Sequence, residues 1–344
     1  MTTQEWAARG VSGAPRAEGR NADAMAGAGH SDHALALELV RVTEAAAIAA
    51  GRWVGHGDED SGKLAAVDAM HEHLNSVSVR GVVVLGAGGK RLPRGADAGN
   101  GAGPACDIGI SAGDGALSIA RDVPNALTAI VVAERGALYA PPVRYLEKLA
   151  VGPDYVDVVD LNRPVADNLR AVAKAKGVDV SDVAVAVLNR PRHLDLVRKI
   201  RDAGARVHLI EGGDIAGAVA VARPESPADL LLGVGGAAQG VLAAAALSCL
   251  GGSLQARLRP DDSGQGDPGH DFEAVLHNED LVGGGNVLFC ATGVTGSELL
   301  RGVAHHAGRT TTQSIVVSSP ETVRIVTSEH RCEIEESREE YRSA

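Results

Sequence analysis

Aromatic side chains are almost missing from this sequence: two Trp, four Tyr and two Phe in 344 residues. A core of any size must therefore be assembled from Ala, Val, Leu and Ile. That is feasible, because hydrophobic residues make up 45% of the chain. Cysteine is scarce as well. Cys106, Cys249, Cys290 and Cys332 stand far apart with no CxxC spacing, which argues against a disulfide framework or a zinc site and reads as reduced thiols of a cytosolic protein. No apolar run reaches the roughly 18 residues that cross a bilayer, and the N-terminus lacks the apolar block of a secretion signal. A cytoplasmic chain with no membrane partner is expected. Positive charge is in deficit: 33 Lys and Arg stand against 44 Asp and Glu, a formal net charge of −11. Phosphate-backbone binding needs concentrated Lys and Arg, so nucleic acid is not expected as a partner. A local basic pocket for a small phosphate ester is compatible with the same balance.

A chain of 344 residues is long for one core and suggests two domains. Residues 1–32 are rich in Ala, Gly, Arg and polar residues without periodicity and are expected to form a disordered extension. Residues 33–162 and 163–330 are expected as two α/β domains, with 331–344 as a tail. "DHALALELVRVTEAAAIAAGRWVG" suits a long helix with one buried face, and "SGKLAAVDAMHEHLNSV" a second. "RGVVVLGAGG" reads as a buried strand entering a glycine loop. "ALTAIVVAERGALYAP" resembles a hairpin. Four strand–turn–helix units then follow: "VAVAVLNRPRHLDLVRKIRDAG", "ARVHLIEGGDIAGAVAVA", "DLLLGVGGAAQGVLAAAALSCLGG" and "GNVLFCATGVTGSELLRGV". Such alternation points to layered α/β architecture, with several turns converging at strand ends, where ligands bind.

Few residues carry chemistry by themselves. In "NRPRH", Arg190 and Arg192 are held two apart by a proline. They can fork onto one anion, or they are solvated charge at a helix start. "GVGGAAQGV" (Gly233–Val241) opens a helix whose amides could cradle a phosphate, or is tight packing. His71 and His73 stand two apart on a helix and cannot share a face. Asp58, Glu59 and Asp60 could bind a cation or form a solvated loop. These features alone imply an α/β protein that takes a phosphorylated small molecule.

The order of motifs implies more. "ELVRVTEAAAIAAGRWVGHGD", "YLEKLAVGP", "DLNRPVADNLRAVA", "PRH", "GVGGAAQGV", "NVLFCATGVTGSELLRGV" and "RTTTQSIVV" together resemble the class II (GlpX-type) fructose-1,6-bisphosphatases over roughly residues 33–330. The resemblance implies the layered α/β/α/β/α sandwich of the lithium-sensitive phosphatase superfamily and a homo-oligomer. It also implies hydrolysis of the 1-phosphate with Mg²⁺ or Mn²⁺ held by carboxylates, a threonine helping to activate water. On the substrate side it carries over to Tyr145, Arg190, Arg192, His193, Asp214 and Gly236, although Gly212 replaces a family aspartate. On the hydrolytic side the chain departs from the pattern. Lys63 stands for a metal aspartate, Ala87 and Gly89 for the glutamates of "GEGE", Ser111 for an aspartate, Asp114 for a glutamate, Ala116 for the threonine and Gln239 for a glutamate. No metal and no cofactor are expected. The turn "DIGISAGDGA" reads as a phosphatase metal turn with its acids removed.

Three functions compete on this reading. The first is a repurposed, metal-independent enzyme that binds a sugar phosphate or a related phosphorylated small molecule, with Lys63, Asp114 and Asp58 (or His56) as catalytic candidates. The second is a non-catalytic sugar-phosphate-binding or regulatory protein. The third is a weak residual phosphatase with a single metal at Asp114.

Overall fold

The computed structural model describes residues 22–87, 90–260, 271–319 and 322–331. Gly89, residues 1–21 of the expected extension and residues 332–344 of the expected tail lie outside the described residues. The remainder of the extension is not irregular. Ala22 to Asp32 are the opening turns of α1 (Ala22–Gly51), because an Ala-rich stretch without proline continues a helix backwards at little cost. A compact unit begins at Leu35.

Along that unit come α2 (Glu59–Leu74), β1 (Arg80–Leu85), β2 (Asp97–Ala98), β3 (Ala105–Asp114), α3 (Ala116–Arg121) and β4 (Leu127–Glu134). Next are β5 (Tyr145–Val151), α4 (Val165–Lys176), β6 (Ala184–Leu188), α5 (Leu194–Asp202), β7 (Arg206–Ile210), α6 (Asp214–Ala220), β8 (Leu230–Gly236), α7 (Ala237–Cys249) and β9 (Ser253–Arg259). The chain closes with α8 (Asn278–Leu281), β10 (Val287–Gly293), β11 (Ala304–His306), β12 (Arg309–Ser318) and β13 (Thr322–Arg331).

Two sheets result. One runs β11-β12-β10-β4-β3-β1-β2, with β13 on the free edge of β12; the other runs β7-β6-β8-β5-β9. The second sheet is a single insertion between β4 and β10, so the sheets do not divide the chain at residue 162. β6 is parallel to both β7 and β8, and β5 is antiparallel to β8 and β9.

Side-chain alternation assigns the faces. Leu127, Ala129 and Val131 of β4 join Phe289 and Ala291 of β10, the body of α7, and Leu146 and Ala150 of β5 in one apolar set. Ile130, Val132, Leu288 and Cys290 point the other way, onto α1 and α2. Leu149, Val185 and Leu230 of the second sheet pack with Leu169, Val172 and Ile200 of α4 and α5. The scarcity of aromatics is visible in α7, whose buried body from Val241 to Leu247 is built from Val, Leu and Ala alone. Ala243 to Leu247 are all at most 1% exposed.

Two expected elements differ. The hairpin after β4 does not form, because both edges of β4 are already paired, with β3 and β10. The returning chain makes only a bridge from Leu138 to Val282, and Asp107 pins it by accepting the N–H groups of Gly136 and Leu138. The fourth strand–turn–helix unit has a strand but no helix. After β10 the Ser297 hydroxyl accepts the N–H groups of Leu299 and Leu300, a side-chain turn that competes with a helix start. The segment then enters β11.

Candidate functional site

Strand β3 ends in a bulge. Ser111 faces Ala129 and Asp114 faces Leu127, so three steps on β3 meet two on β4 and the extra residue re-aims the chain. Asp114 is thereby carried inside. Its carboxylate accepts the N–H groups of Asp214 (3.1 Å), Ile215 (2.8 Å) and Ala216 (3.3 Å). A residue of the first sheet thus caps α6, whose own N-cap residue, Gly213, has no side chain to do so. Burial and the like charge of Asp214 push the Asp114 carboxyl up to about 7, against the amides and Lys148.

Asp214 is ion-paired with Lys148, a lysine only 2% exposed on β5. Lys148 also donates to the Gly236 carbonyl (3.2 Å). Buried charges persist only when paired in this way. Gly235 permits the pair, since a Cβ there would lie 2.1 Å from the Asp214 carboxylate. The second Asp214 oxygen and the Ser118 hydroxyl are buried and have no hydrogen-bond partner among the described residues. Sequence reasoning missed Lys148. Its signal is a lysine at the alternate position between the inward-facing Leu146 and Ala150.

The "PRH" segment forms one 3₁₀ turn between β6 and α5. His193 is buried. Its Nδ1 lies 2.7 Å from the Leu188 carbonyl, and its Nε2 accepts the Val234 N–H (2.8 Å). That pairing fixes a neutral tautomer with the proton on Nδ1. Burial, aided by the Arg192 charge, holds the imidazole below the ordinary histidine pKa. Arg192 grips the Val234 carbonyl through Nε (3.1 Å) and Nη2 (2.8 Å) and stands over the Tyr145 ring at 5.5 Å. Arg144 stands 5.6 Å from the same ring. Arg190 is held elsewhere, donating to the carbonyls of Asn189 (2.8 Å) and Glu211 (2.7 Å). The two arginines expected to fork onto one anion are therefore anchored to different carbonyls.

The other candidates separate. Asp58 is exposed and caps α2, accepting the N–H groups of Asp60 and Ser61, each at 3.0 Å. The Ser61 hydroxyl, foremost, and these amides hold its carboxyl below the usual range. His56 lies edge-on to Trp53. Lys63, five residues along the same segment, instead lines a cavity of about 450 Å³ with Ala87, Arg94, Arg144 and Gln239. Neither Asp58 nor Asp114 lines it. A family model for bacterial, glpX-encoded fructose-1,6-bisphosphatase matches residues 33–330.

This chain belongs to the glpX-encoded fructose-1,6-bisphosphatase family.

Among its relatives in that family is the fructose-1,6-bisphosphatase class 2 of Haemophilus influenzae, 36% identical over 321 residues. The match covers 87% of this chain and 96% of the relative. The fructose-1,6-bisphosphatase 1 class 2 of Escherichia coli K12 is 36% identical over 318 residues, covering 86% of this chain and 95% of the relative. Within this chain, Lys63, Ala87 and Gln239 share the cavity, while Ser111 and Asp114 are buried and do not line it. Among the described residues no three His, Cys, Asp or Glu side chains gather as metal ligands would, and no helix is long and apolar enough to cross a membrane.

Proposed function

We propose that this family member binds a sugar phosphate or a related phosphorylated small molecule and has lost the metal-dependent phosphatase reaction. The observation that carries the reading is the state of Asp114. It is the one carboxylate among Lys63, Ala87, Ser111, Asp114 and Gln239, five positions where the family pattern carries acids, and its oxygens already accept three backbone N–H groups. Mg²⁺ and Mn²⁺ are hard ions that need several oxygen ligands, most of them anionic. Ala87 offers no side-chain donor, Ser111 and Gln239 offer neutral ones, and Lys63 brings positive charge. At about 4 Å and an effective dielectric of about 20, two unit charges repel by roughly 4 kcal/mol, and a divalent ion doubles this. The donor set does not suit the metal.

The ligand side of the reading is supported by Arg192, Tyr145, His193, Asp214 and Gly236, which share the ends of β5, β6 and β8 and the start of α6. The Arg192 guanidinium and the Tyr145 hydroxyl present donors suited to a phosphate. His193 positions Val234, and through it the carbonyl that holds Arg192. Asp214, fixed by Lys148, is an acceptor for a sugar hydroxyl. Arg190 serves by tying the ends of β6 and β7. The family's layered α/β/α/β/α sandwich and a homo-oligomeric state belong to the same reading.

The reading of a metal-independent enzyme is favoured by one feature: Lys63 places a primary amine in the cavity beside Gln239. Such an amine acts as a fixed cation, or as a base or nucleophile once desolvated. Asp114 and Asp58, engaged in capping, are not its partners in this scheme.

The test has two arms. Purified protein is incubated with fructose 1,6-bisphosphate and Mg²⁺ or Mn²⁺ and inorganic phosphate is measured; no release above the protein-free rate is expected. Calorimetry with fructose 6-phosphate in EDTA is expected to show binding that Arg192→Ala weakens by about tenfold or more. Metal-dependent phosphate release would overturn the reading, as would the absence of any binding in EDTA.

A further inference from the structure

We infer that the cavity between α2, β1 and the start of α7 is a metal-free subsite for a phosphate-type dianion, its charge met by Lys63, Arg94 and Arg144. The inference deepens the reading above and rests on its premise that no metal sits there.

The first ground is charge. The chain as a whole carries −11, yet three cations line this one cavity of about 450 Å³, and no carboxylate lines it among the described residues. Several basic side chains elsewhere are matched, Arg91 with Asp68, Arg135 with Asp107, and Arg257 and Arg259 with Glu147. Lys63, Arg94 and Arg144 have no ion-pair partner among the described residues. Like charges gathered in one concave site repel one another and sum to a positive local field. An anion in the cavity relieves that repulsion.

The second ground is the backbone. The opening residues of α7, Ala238 and Gln239, line the same cavity, and the N-cap residue Gly236 supplies no side-chain partner. First-turn amides are therefore available to an anion. One amide is already used: the Ala237 N–H donates to the Arg144 carbonyl at 3.0 Å, which fastens the segment bearing Arg144 to the helix start.

The third ground is shape. Ala87 leaves the cavity wall bare, and Gln239 adds a neutral amide donor in place of an acid. The stem of Lys63 lies on Gly113, where an added Cβ would be 3.0 Å from its Cγ. The Tyr145 ring, flanked by Arg144 and Arg192, makes this subsite adjoin the Arg192 position.

The experiment titrates inorganic phosphate into the full chain in EDTA, by calorimetry, for wild type, for the Lys63→Gln/Arg94→Gln double variant and for Arg192→Gln. Thermal melting checks that each variant is folded, which these cavity-lining side chains favour. Wild type is expected to bind, the double variant to lose the component of phosphate binding that depends on Lys63 and Arg94, about tenfold or more in affinity, and Arg192→Gln to keep that component. A double variant that binds phosphate like wild type overturns the inference. If that result is accompanied by loss in Arg192→Gln, the proposed phosphate position survives and this subsite alone falls. Phosphate binding only after Mn²⁺ is added overturns both. Glycerol 3-phosphate distinguishes the sources of the dianion. Competition that depends on Lys63 and Arg94 supports an esterified phosphate, and binding of inorganic phosphate alone supports the free ion.

Discussion

The Asp114 carboxylate accepts the Ile215 N–H at 2.8 Å across 101 residues of sequence, joining the bulged end of β3 to the first turn of α6. A side chain whose motif suggests a metal ligand is thus a helix cap supplied from another element. Replacing it by Asn keeps the size but points N–H₂ at amide donors. Asp114→Asn is expected to lower stability by about 1–3 kcal/mol, read by urea unfolding at pH 7. A variant as stable as wild type would remove the capping role.

The same carboxyl gives a pH signature. Its folded pKa is raised to about 7 from the ordinary aspartate value of 3.8, so the folded state holds a proton that the unfolded state has released. The associated stability is fully present below about pH 4 and is lost as pH rises through about 7. Relative to Asp114→Asn, wild type is expected to lose unfolding free energy between those values. A difference curve flat over that range would contradict the shift.

Breaking the buried pair of Lys148 and Asp214 should be severe. Lys148→Met leaves Asp214 charged and unpartnered, and a cost of about 3–5 kcal/mol is expected. The Lys148→Met/Asp214→Asn double variant should recover part of it. A double-mutant cycle with no coupling would show that the pair does not act as a unit.

His193 should be silent as a base. Its folded pKa lies below the ordinary 6.5, so on acidification the unfolded chain takes up the proton first. Its contribution to stability is therefore present above about 6.5 and is lost as pH falls towards the folded value. Its Cε1 proton resonance should stay constant from pH 8 to pH 6.5. A full titration step centred near pH 6.5 would argue against the fixed tautomer.

Divalent metal should not bind in the cavity. Titrating Mn²⁺ into the protein is expected to give no saturable heat at Lys63, Ala87, Ser111, Asp114 and Gln239. An ordered Mn²⁺ anomalous peak bonded to Asp114 would overturn this.

The parts of the fold legible in the sequence were those with local punctuation. Pro164 and Gly177 bracket α4, Gly204 closes the turn after α5, and the strand–turn–helix spacing places β6 through α7. What escaped depended on neighbours distant in the chain. No local signal says that β4 is already paired on both edges, so the sequence suggests a hairpin where none forms. The apolar pattern after β10 gave no warning that Ser297 would turn the chain. At the candidate site, the motifs single out Tyr145, Arg192 and His193. Lys148, Arg94 and Arg144 were not, because their meaning comes from what other segments bring beside them. Asp58 and Asp114 were legible as acids but not as caps, since a cap is defined by the amides it meets.

The insertion of the second sheet between β4 and β10 also sets an order of assembly at the ribosome. All five strands of that sheet have been made once Arg259 has emerged, whereas β4 waits for its second neighbour until Gly293. At roughly 5–20 residues per second, one long edge of an almost wholly apolar strand stays open for seconds after its own synthesis. Nascent chains of this protein therefore present a transient strand-pairing template that the finished molecule conceals, which makes the β4 edge the place where chaperone binding or misassembly would begin.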